Sequence, residues 1–85
     1  DHHYERFAPQ TAEGKADPRG LREFVVGTGG AELRDIMATK PNSEVQNAQT
    51  FGVIKFTLHP KTYDWEFIPI NGQTFKDKGT GTCVM

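Results

Sequence analysis

The sequence lacks the features that would place it in several specialised classes of protein. Its longest apolar runs, such as Phe24-Val25-Val26, are far shorter than the roughly 20 apolar residues that a transmembrane helix needs. Ten basic and eleven acidic residues give a net charge of -1, so the composition does not indicate a basic surface for nucleic acid. We therefore expect neither a membrane nor a nucleic acid as a partner.

Cysteine is equally scarce, since Cys83 is the only one in the chain. In an extracellular protein, an odd cysteine suggests a disulfide partner in another segment or another chain. A free thiol near the end of the chain is the alternative. The residues alone leave both interpretations open.

The composition that is present favours a small, mainly β structure. Eighty-five residues make at most one small domain, and a domain of about this size buries only roughly 60% of its unfolded surface. Nine glycines and five prolines favour turns, whereas six Phe, two Tyr and one Trp favour strands. We therefore expect a β-rich chain with a limited core.

A β-hairpin at 51–70 is the clearest predicted element. Residues 51–58 form its first strand, residues 59–62 its turn, and residues 63–70 its return strand. Apolar and polar residues alternate in both strands, which predicts one buried and one wetter face. Pro69 favours an edge position or a strand end. The buried face is predicted to contain Ile54, Phe56, Leu58, Tyr63, Trp65 and Phe67.

The first half of the chain gives weaker signals. Residues 1–11 are predicted to be a loop that leads into a short extended segment, and residues 12–20 a polar surface loop. A strand is expected at 21–26, where the sequence is rich in apolar residues. Residues 31–38 predict one short helical turn, which needs tertiary support, and residues 39–49 predict a polar loop.

The end of the chain predicts little regular structure. Asn71-Gly72 is expected to form a turn, and residues 74–75 a last short strand. Residues 76–85 are polar and glycine-rich, which predicts a flexible tail.

The first six residues, Asp1-His2-His3-Tyr4-Glu5-Arg6, carry the most specific motif. They resemble the last metal-binding motif, Gly-His-x-His-x-Tyr-Glu-Arg, of the calcineurin-like metallophosphoesterases. That superfamily includes the purple acid phosphatases and secreted alkaline phosphatases. When the motif is aligned on Tyr4-Glu5-Arg6, its second histidine falls on His2.

This resemblance implies a function and roles for the motif residues. It implies a dinuclear metal centre of Fe, Zn, Mn or Ca that hydrolyses small phosphate esters in a secreted or periplasmic enzyme. His2 takes the position of a metal ligand, and His3 occupies a variable position. His3, Tyr4, Glu5 and Arg6 are expected to support the loop, with Glu5 and Arg6 paired across it.

The similarity extends, in order, over nearly the whole chain. It includes Gly27-Thr28-Gly29-Gly30, a turn that lies near the phosphate site in the family. From the residues alone, a tight turn that needs a positive φ is the better interpretation than an anion-binding nest. The remaining similar segments are residues 21–26, 42–44, 51–60, 63–67 and 79–83.

The resemblance also predicts an incomplete site. The upstream ligand motifs of the family are missing, because the chain contains neither Gly-Asp nor Gly-Asn-His. His2 is then one of roughly seven ligands that a two-metal site requires. We expect residues 1–85 to be a single partial domain, the C-terminal part that completes a β-sandwich. Alone it should lack phosphatase activity and self-associate through exposed strand edges.

Two other functions are compatible with the residues. The first is a small serine-type ester hydrolase that uses Ser43, the only serine, with His59 and Asp64, but no Gly-x-Ser-x-Gly elbow surrounds this serine. The second alternative is a stand-alone β-rich binding or structural domain. An aromatic surface on the Tyr63–Phe67 strand could serve binding, although alternating aromatic residues usually form a core.

Overall fold

The computed structural model describes residues 2–33 and 39–83, and all the regular secondary structure in these ranges is β-strand. The mainly β fold predicted from the composition is therefore confirmed for the described residues. No helix within them has the length and hydrophobicity that crossing a membrane requires. The strands are β1 (Tyr4–Phe7), β2 (Phe24–Val26), β3 (Ser43–Asn47), β4 (Gly52–Leu58), β5 (Thr62–Pro69) and β6 (Asp77–Thr82).

These strands form two three-stranded antiparallel sheets. The first sheet has the order β2-β1-β3, so the strand that contains the Tyr-Glu-Arg motif lies in its centre. The second has the order β4-β5-β6, with the aromatic strand β5 in its centre. Each central strand therefore has both sets of backbone hydrogen-bonding groups paired.

Aromatic side chains join the two sheets. Phe24 of β2 packs edge-on against Phe56 and Trp65, with ring centroids 5.1 and 5.4 Å apart. Tyr4 of β1 lies 4.9 Å from Phe67 between ring centroids. Tyr4, Trp65 and Phe67 are buried. The prediction that the aromatic residues of β5 form core rather than an exposed binding surface is therefore confirmed for Trp65 and Phe67.

The hairpin and its flanking turn agree with the sequence prediction in their position and pairing, but the predicted burial is wrong for two residues. Phe56 and Leu58 are 44% and 78% exposed, because they line an open groove between the sheets. Strand β4 pairs with β5 over its whole length, from Gly52 opposite Pro69 to Leu58 opposite Tyr63. Pro69 is the last residue of β5, where a missing N–H is tolerated. Residues 71–72 form the expected turn, and Gly72 has a φ of 89° that a residue with a side chain rarely adopts.

The flexible tail predicted over residues 76–85 is wrong for Asp77–Thr82, which form the full-length edge strand β6. This segment has no apolar side chain, but its glycines lie beneath aromatic rings. A Cβ at Gly79 would meet Cζ2 of Trp65 at 2.5 Å, and one at Gly81 would meet Cζ of Tyr63 at 2.4 Å. The rings of β5 thus cover the β6 backbone and supply the apolar contacts that its own residues lack.

Four further predictions need correction. The loop expected to contain Tyr4, Glu5 and Arg6 is wrong, because Tyr4–Phe7 form β1, whose two neighbours β2 and β3 pair with it as a central strand. Residues 39–49 are not all loop, because Ser43–Asn47 form β3 and pair with β1. The strand expected at 21–26 is confined to Phe24–Val26, and Leu21 makes only an isolated bridge with Gln10. Residues 74–75 form no strand, although Phe75 packs against the ring of Phe67. The predicted helical turn falls mainly on residues 34–38, which lie outside the described residues.

Candidate functional site

The imidazole of His2 is held by one backbone group. Its Nδ1 lies 2.6 Å from the carbonyl oxygen of Glu32, which follows the glycine-rich turn. Because a carbonyl oxygen can only accept a hydrogen bond, Nδ1 carries the proton and donates it. In the neutral ring, Nε2 then keeps its lone pair. This is the arrangement of most metal-ligating histidines, in which the other ring nitrogen donates to an outer-shell acceptor.

His3 forms a separate pair with Glu5. Its Nε2 lies 2.8 Å from Oε1 of Glu5, two residues further along the strand. Residues two apart in a strand point to the same side of the sheet, which explains this contact. The Glu5 side chain is buried, and its Oε2 has no hydrogen-bond partner among the residues that the structure describes.

The predicted pair between Glu5 and Arg6 does not form. Adjacent residues of a strand point to opposite faces of the sheet, so Arg6 lies on the same side of β1 as Tyr4. Both side chains contact Asp77 of β6. Asp77 Oδ2 accepts hydrogen bonds from the Tyr4 hydroxyl at 2.6 Å and from Arg6 Nε at 2.8 Å, and Oδ1 accepts one from Arg6 Nη2 at 3.1 Å.

A second carboxylate extends this network at the edge of the sheet. Oε1 of Glu44 on β3 accepts hydrogen bonds from Nη1 of Arg6 and from Nη1 of Arg22, the latter at 2.7 Å. Arg22 Nη1 also donates to the carbonyl oxygen of Phe7 at 2.9 Å. The two guanidinium carbons lie 5.1 and 4.8 Å from the ring centroid of Trp65, within the range of cation–π interactions.

The contacts between Tyr4, Arg6 and Asp77 shift the pKa values of these three groups. Burial and the hydrogen bond to Asp77 raise the pKa of Tyr4 well above its ordinary value. Burial alone would raise the pKa of Asp77, but the hydrogen bonds from Arg6 and Tyr4 outweigh it and lower that pKa. Near neutral pH Tyr4 is therefore a neutral phenol, and Asp77 is a carboxylate paired with the guanidinium group of Arg6. The cluster is equipped to hold β1 in place rather than to transfer protons.

The glycine-rich turn lies beside the motif. The Gly27 N–H donates to the carbonyl oxygen of His3 at 2.9 Å. The Thr28 side chain is buried, and its hydroxyl donates to the carbonyl oxygen of Gly52 at 2.9 Å. Gly29 and Gly30 are exposed, and Gly30 has a φ of 141°, as expected for a tight turn. Thr28 thus anchors the turn to β4, and its hydroxyl already has an acceptor.

The structure brings together only two members of the imagined serine triad. Nε2 of His59 lies 3.0 Å from Oδ2 of Asp64, and both side chains are exposed to a large extent on the hairpin. Ser43 belongs to β3 of the other sheet. No hydrogen bond joins Ser43 to His59 in the described part of the chain. The geometry therefore offers no activated serine.

An open groove of about 750 Å³ is a further feature, and a smaller space of about 420 Å³ is lined mainly by polar and charged residues. The larger one is apolar and is lined by residues of both sheets, among them Phe24, Phe56 and Tyr63. Two leucines at its rim, Leu21 and Leu58, remain 75% and 78% exposed. Contiguous apolar surface of this kind often marks a place where another protein surface binds.

Sequence reasoning missed the residues that contact the motif from a distance, namely Glu32, Glu44 and Asp77, and it missed Arg22, which shares the Glu44 carboxylate with Arg6. Asp77 lies 73 positions from Tyr4, so no local pattern could have paired them. Within residues 2–33 and 39–83, no three His, Cys, Asp or Glu side chains are grouped closely enough to hold a metal ion. Comparisons of the chain with protein-family models, curated proteins and solved structures find no significant match.

Proposed function

We propose that the chain is the C-terminal segment of a metal-dependent phosphatase that hydrolyses phosphate esters, with His2 as one of its metal ligands. The observation that carries this proposal is the hydrogen bond from His2 Nδ1 to the Glu32 carbonyl oxygen, which leaves Nε2 as a donor to a metal. The resemblance of residues 1–6 to the metallophosphoesterase motif supplies the reaction class.

His2 fits one position of such a centre, and the other ligands must come from polypeptide beyond these residues. An imidazole nitrogen suits Fe, Zn or Mn better than Ca, which prefers oxygen ligands. When bound, a two-metal centre would activate a water molecule and stabilise charge on the phosphoryl oxygens. The role of this chain's own residues is to orient the His2 ring and to fix β1 against β6.

The apolar groove supports the part of the proposal that concerns architecture. Leu21 and Leu58 are largely exposed at its rim, and both sheets end there in uncovered apolar surface. Further strands of a β-sandwich in the intact phosphatase would cover this surface. We also propose a secreted or periplasmic location, which would give Cys83 the oxidising surroundings that a disulfide needs.

The test is hydrolysis of p-nitrophenyl phosphate by the full-length product of the gene that encodes this chain. The metal-stripped protein is assayed after addition of Zn²⁺, Mn²⁺ or Fe. His2→Ala should reduce the rate by more than the roughly 10–100-fold that loss of an outer-shell partner costs. His59→Ala is the matched control and should leave the rate unchanged, because His59 lies in the hairpin and contacts Asp64. Equal rates for both variants would contradict the proposal.

A stand-alone β-rich binding or structural domain is the second candidate. The observation in its favour is the aromatic core that residues of this chain form by themselves, with Tyr4 and Phe67 almost completely buried. A cooperative thermal transition of the 85-residue chain, together with a monomeric or discrete dimeric mass in size-exclusion chromatography, would favour this function. Broad unfolding and self-association would favour the phosphatase segment.

A further inference from the structure

Among residues 2–33 and 39–83, Asp77 is the one residue that binds both Tyr4 and Arg6 of the motif. Its two carboxylate oxygens accept three hydrogen bonds from them, at 2.6, 2.8 and 3.1 Å. Two of these bonds come from one guanidinium group and are therefore bidentate, which fixes the direction of the Arg6 side chain as well as its distance. Asp77 is buried, so water competes little for the same oxygens.

The position of Asp77 follows from the sheet that contains it. It is the register partner of Phe67 on β5, so its side chain lies on the face that packs against β1. The Tyr4 ring contacts Phe67 and Phe75, with centroids 4.9 and 5.7 Å apart. These two rings direct the Tyr4 hydroxyl towards the carboxylate. The first residue of β6 thus determines where the first residue of β1 lies.

The His2 ring is two residues before Tyr4 and depends on the same strand. Between them, the carbonyl oxygen of His3 accepts a hydrogen bond from Gly27 N–H. The chain at His2 is therefore constrained by the glycine-rich turn through His3 and by β6 through Tyr4. Outer contacts of this kind set the direction of a ligand's ring within the tolerance that metal coordination requires.

We propose that Asp77 is a positioning residue for the metal site, which holds His2 in its ligating position through Tyr4 and Arg6. The inference rests on the proposed function, since it assumes that His2 binds a metal. The inference adds a residue of β6, Asp77, to the site that residues 1–6 indicate. Asp77 does not touch the metal or the substrate in this arrangement.

The experiment measures the dissociation constant for Zn²⁺ of the full-length protein, by competition with a chromophoric chelator. Asp77→Asn should weaken Zn²⁺ binding by about 10–100-fold, the range that outer-shell partners typically contribute. Tyr4→Phe removes one of the three hydrogen bonds and should weaken binding less. Asp64→Asn is the matched control, because Asp64 also accepts two side-chain hydrogen bonds but lies on the exposed hairpin.

A double-mutant cycle separates positioning from a general loss of stability. If Asp77 acts through Tyr4, the Tyr4→Phe change should have little further effect on Zn²⁺ affinity in the Asp77→Asn protein. A purely structural role would lower the unfolding temperature but leave the Zn²⁺ affinity of the folded protein unchanged. Should Asp77→Asn fail to fold, Tyr4→Phe decides the question, because it retains the ion pair with Arg6.

His2→Ala distinguishes failure of this inference from failure of the proposed function. Unchanged Zn²⁺ binding in His2→Ala would overturn both. If His2→Ala weakens binding while Asp77→Asn and Tyr4→Phe match the wild type, only the role of Asp77 is overturned. Weaker binding in all three, with Asp64→Asn unchanged, supports the assignment.

Discussion

Replacing Asp77 by Asn perturbs the contact between the two sheets at a single group. An amide has one acceptor oxygen, which can still serve Tyr4 and Arg6 Nε in place of Asp77 Oδ2. The amide nitrogen would then face Arg6 Nη2, where the carboxylate accepts a hydrogen bond at 3.1 Å. The hydrogen bond from Arg6 Nη2 is lost, and two N–H donors face each other in its place. The hydrogen bonds from Tyr4 and Arg6 Nε remain, but their acceptor no longer carries a negative charge.

The expected loss can be derived from these contacts. A hydrogen bond to a charged group contributes about 1.5–3 kcal/mol, compared with roughly 1 kcal/mol for a neutral pair. Removing one partner of a buried ion pair typically costs about 3–5 kcal/mol. Arg6 keeps Glu44 as an acceptor and the ring of Trp65 beside it, so the lower end applies. We expect Asp77→Asn to reduce the free energy of unfolding by about 3 kcal/mol.

The effect should depend on pH in a defined direction. The pKa of Asp77 is lowered in the folded chain, because hydrogen bonds from Arg6 and Tyr4 outweigh burial. A carboxyl whose pKa is lower in the folded than in the unfolded state stabilises the fold at pH values above the unfolded-state pKa of about 3.9. This stabilisation is lost as the pH falls through the folded-state pKa. The difference in unfolding free energy between wild type and Asp77→Asn should be constant near neutral pH and should shrink in acid.

Urea unfolding followed by the fluorescence of Trp65, the only tryptophan, measures both effects. Asp64→Asn is the control at each pH. Its carboxyl also has a lowered pKa, through hydrogen bonds from His59 and Thr80, but it is exposed to solvent. A loss for Asp77→Asn of less than about 0.5 kcal/mol, the usual range for surface substitutions, would show that the Asp77 carboxylate contributes little to stability.

Two further substitutions test the packing of the sheets. Gly79→Ala should lower the free energy of unfolding by about 1–3 kcal/mol, because the added methyl group overpacks against Trp65. Gly29→Ala is the control in the same urea titration, because a Cβ there meets no atom within 4 Å. Equal losses of stability in the two variants would contradict the contact between Gly79 and Trp65. Leu58→Lys should reduce self-association of the isolated chain, because Leu58 is 78% exposed beside the groove. Sedimentation at increasing concentration, with the exposed Thr74→Lys as the control, measures this, and a wild-type chain that is monomeric throughout would contradict it.

The sequence predicted the parts of the fold in which local patterns carry the information. The hairpin of β4 and β5 combines period-two alternation with a short turn, and both its pairing and the residues that share a face were predicted. Burial of that face was predicted incorrectly for Phe56 and Leu58, because alternation does not show how much of a face another sheet covers. The same reasoning failed for β6 and β3, whose own residues are polar. Gly79 and Gly81 are weak strand formers by propensity, yet they pair because the rings of Trp65 and Tyr63 cover them. That stabilisation comes from another strand and is invisible in a local pattern.

In the candidate site, too, contacts between residues close in sequence could be predicted, whereas contacts between residues distant in sequence could not. The motif itself and the proximity of His3 to Glu5 follow from spacing along one strand. The acceptor for His2 and the acceptor for Tyr4 lie 30 and 73 positions away in the sequence. No helical or strand periodicity relates residues at such separations. Only the order of strands in the two sheets brings them together.

The alternation of β1 gives the tyrosine and the arginine of this segment a common partner, Asp77. His3 and Glu5 face one side of the sheet, whereas Tyr4 and Arg6 face the second sheet. Two apolar side chains in place of Tyr4 and Arg6 would be buried there at a lower desolvation cost. Buried ionic groups are often replaceable by apolar residues without loss of stability. A phenol and a guanidinium group directed at one carboxylate add direction, because each hydrogen bond fixes an angle as well as a distance. Under the proposed function, this contact would help to hold the imidazole of His2, two residues before β1, in one orientation.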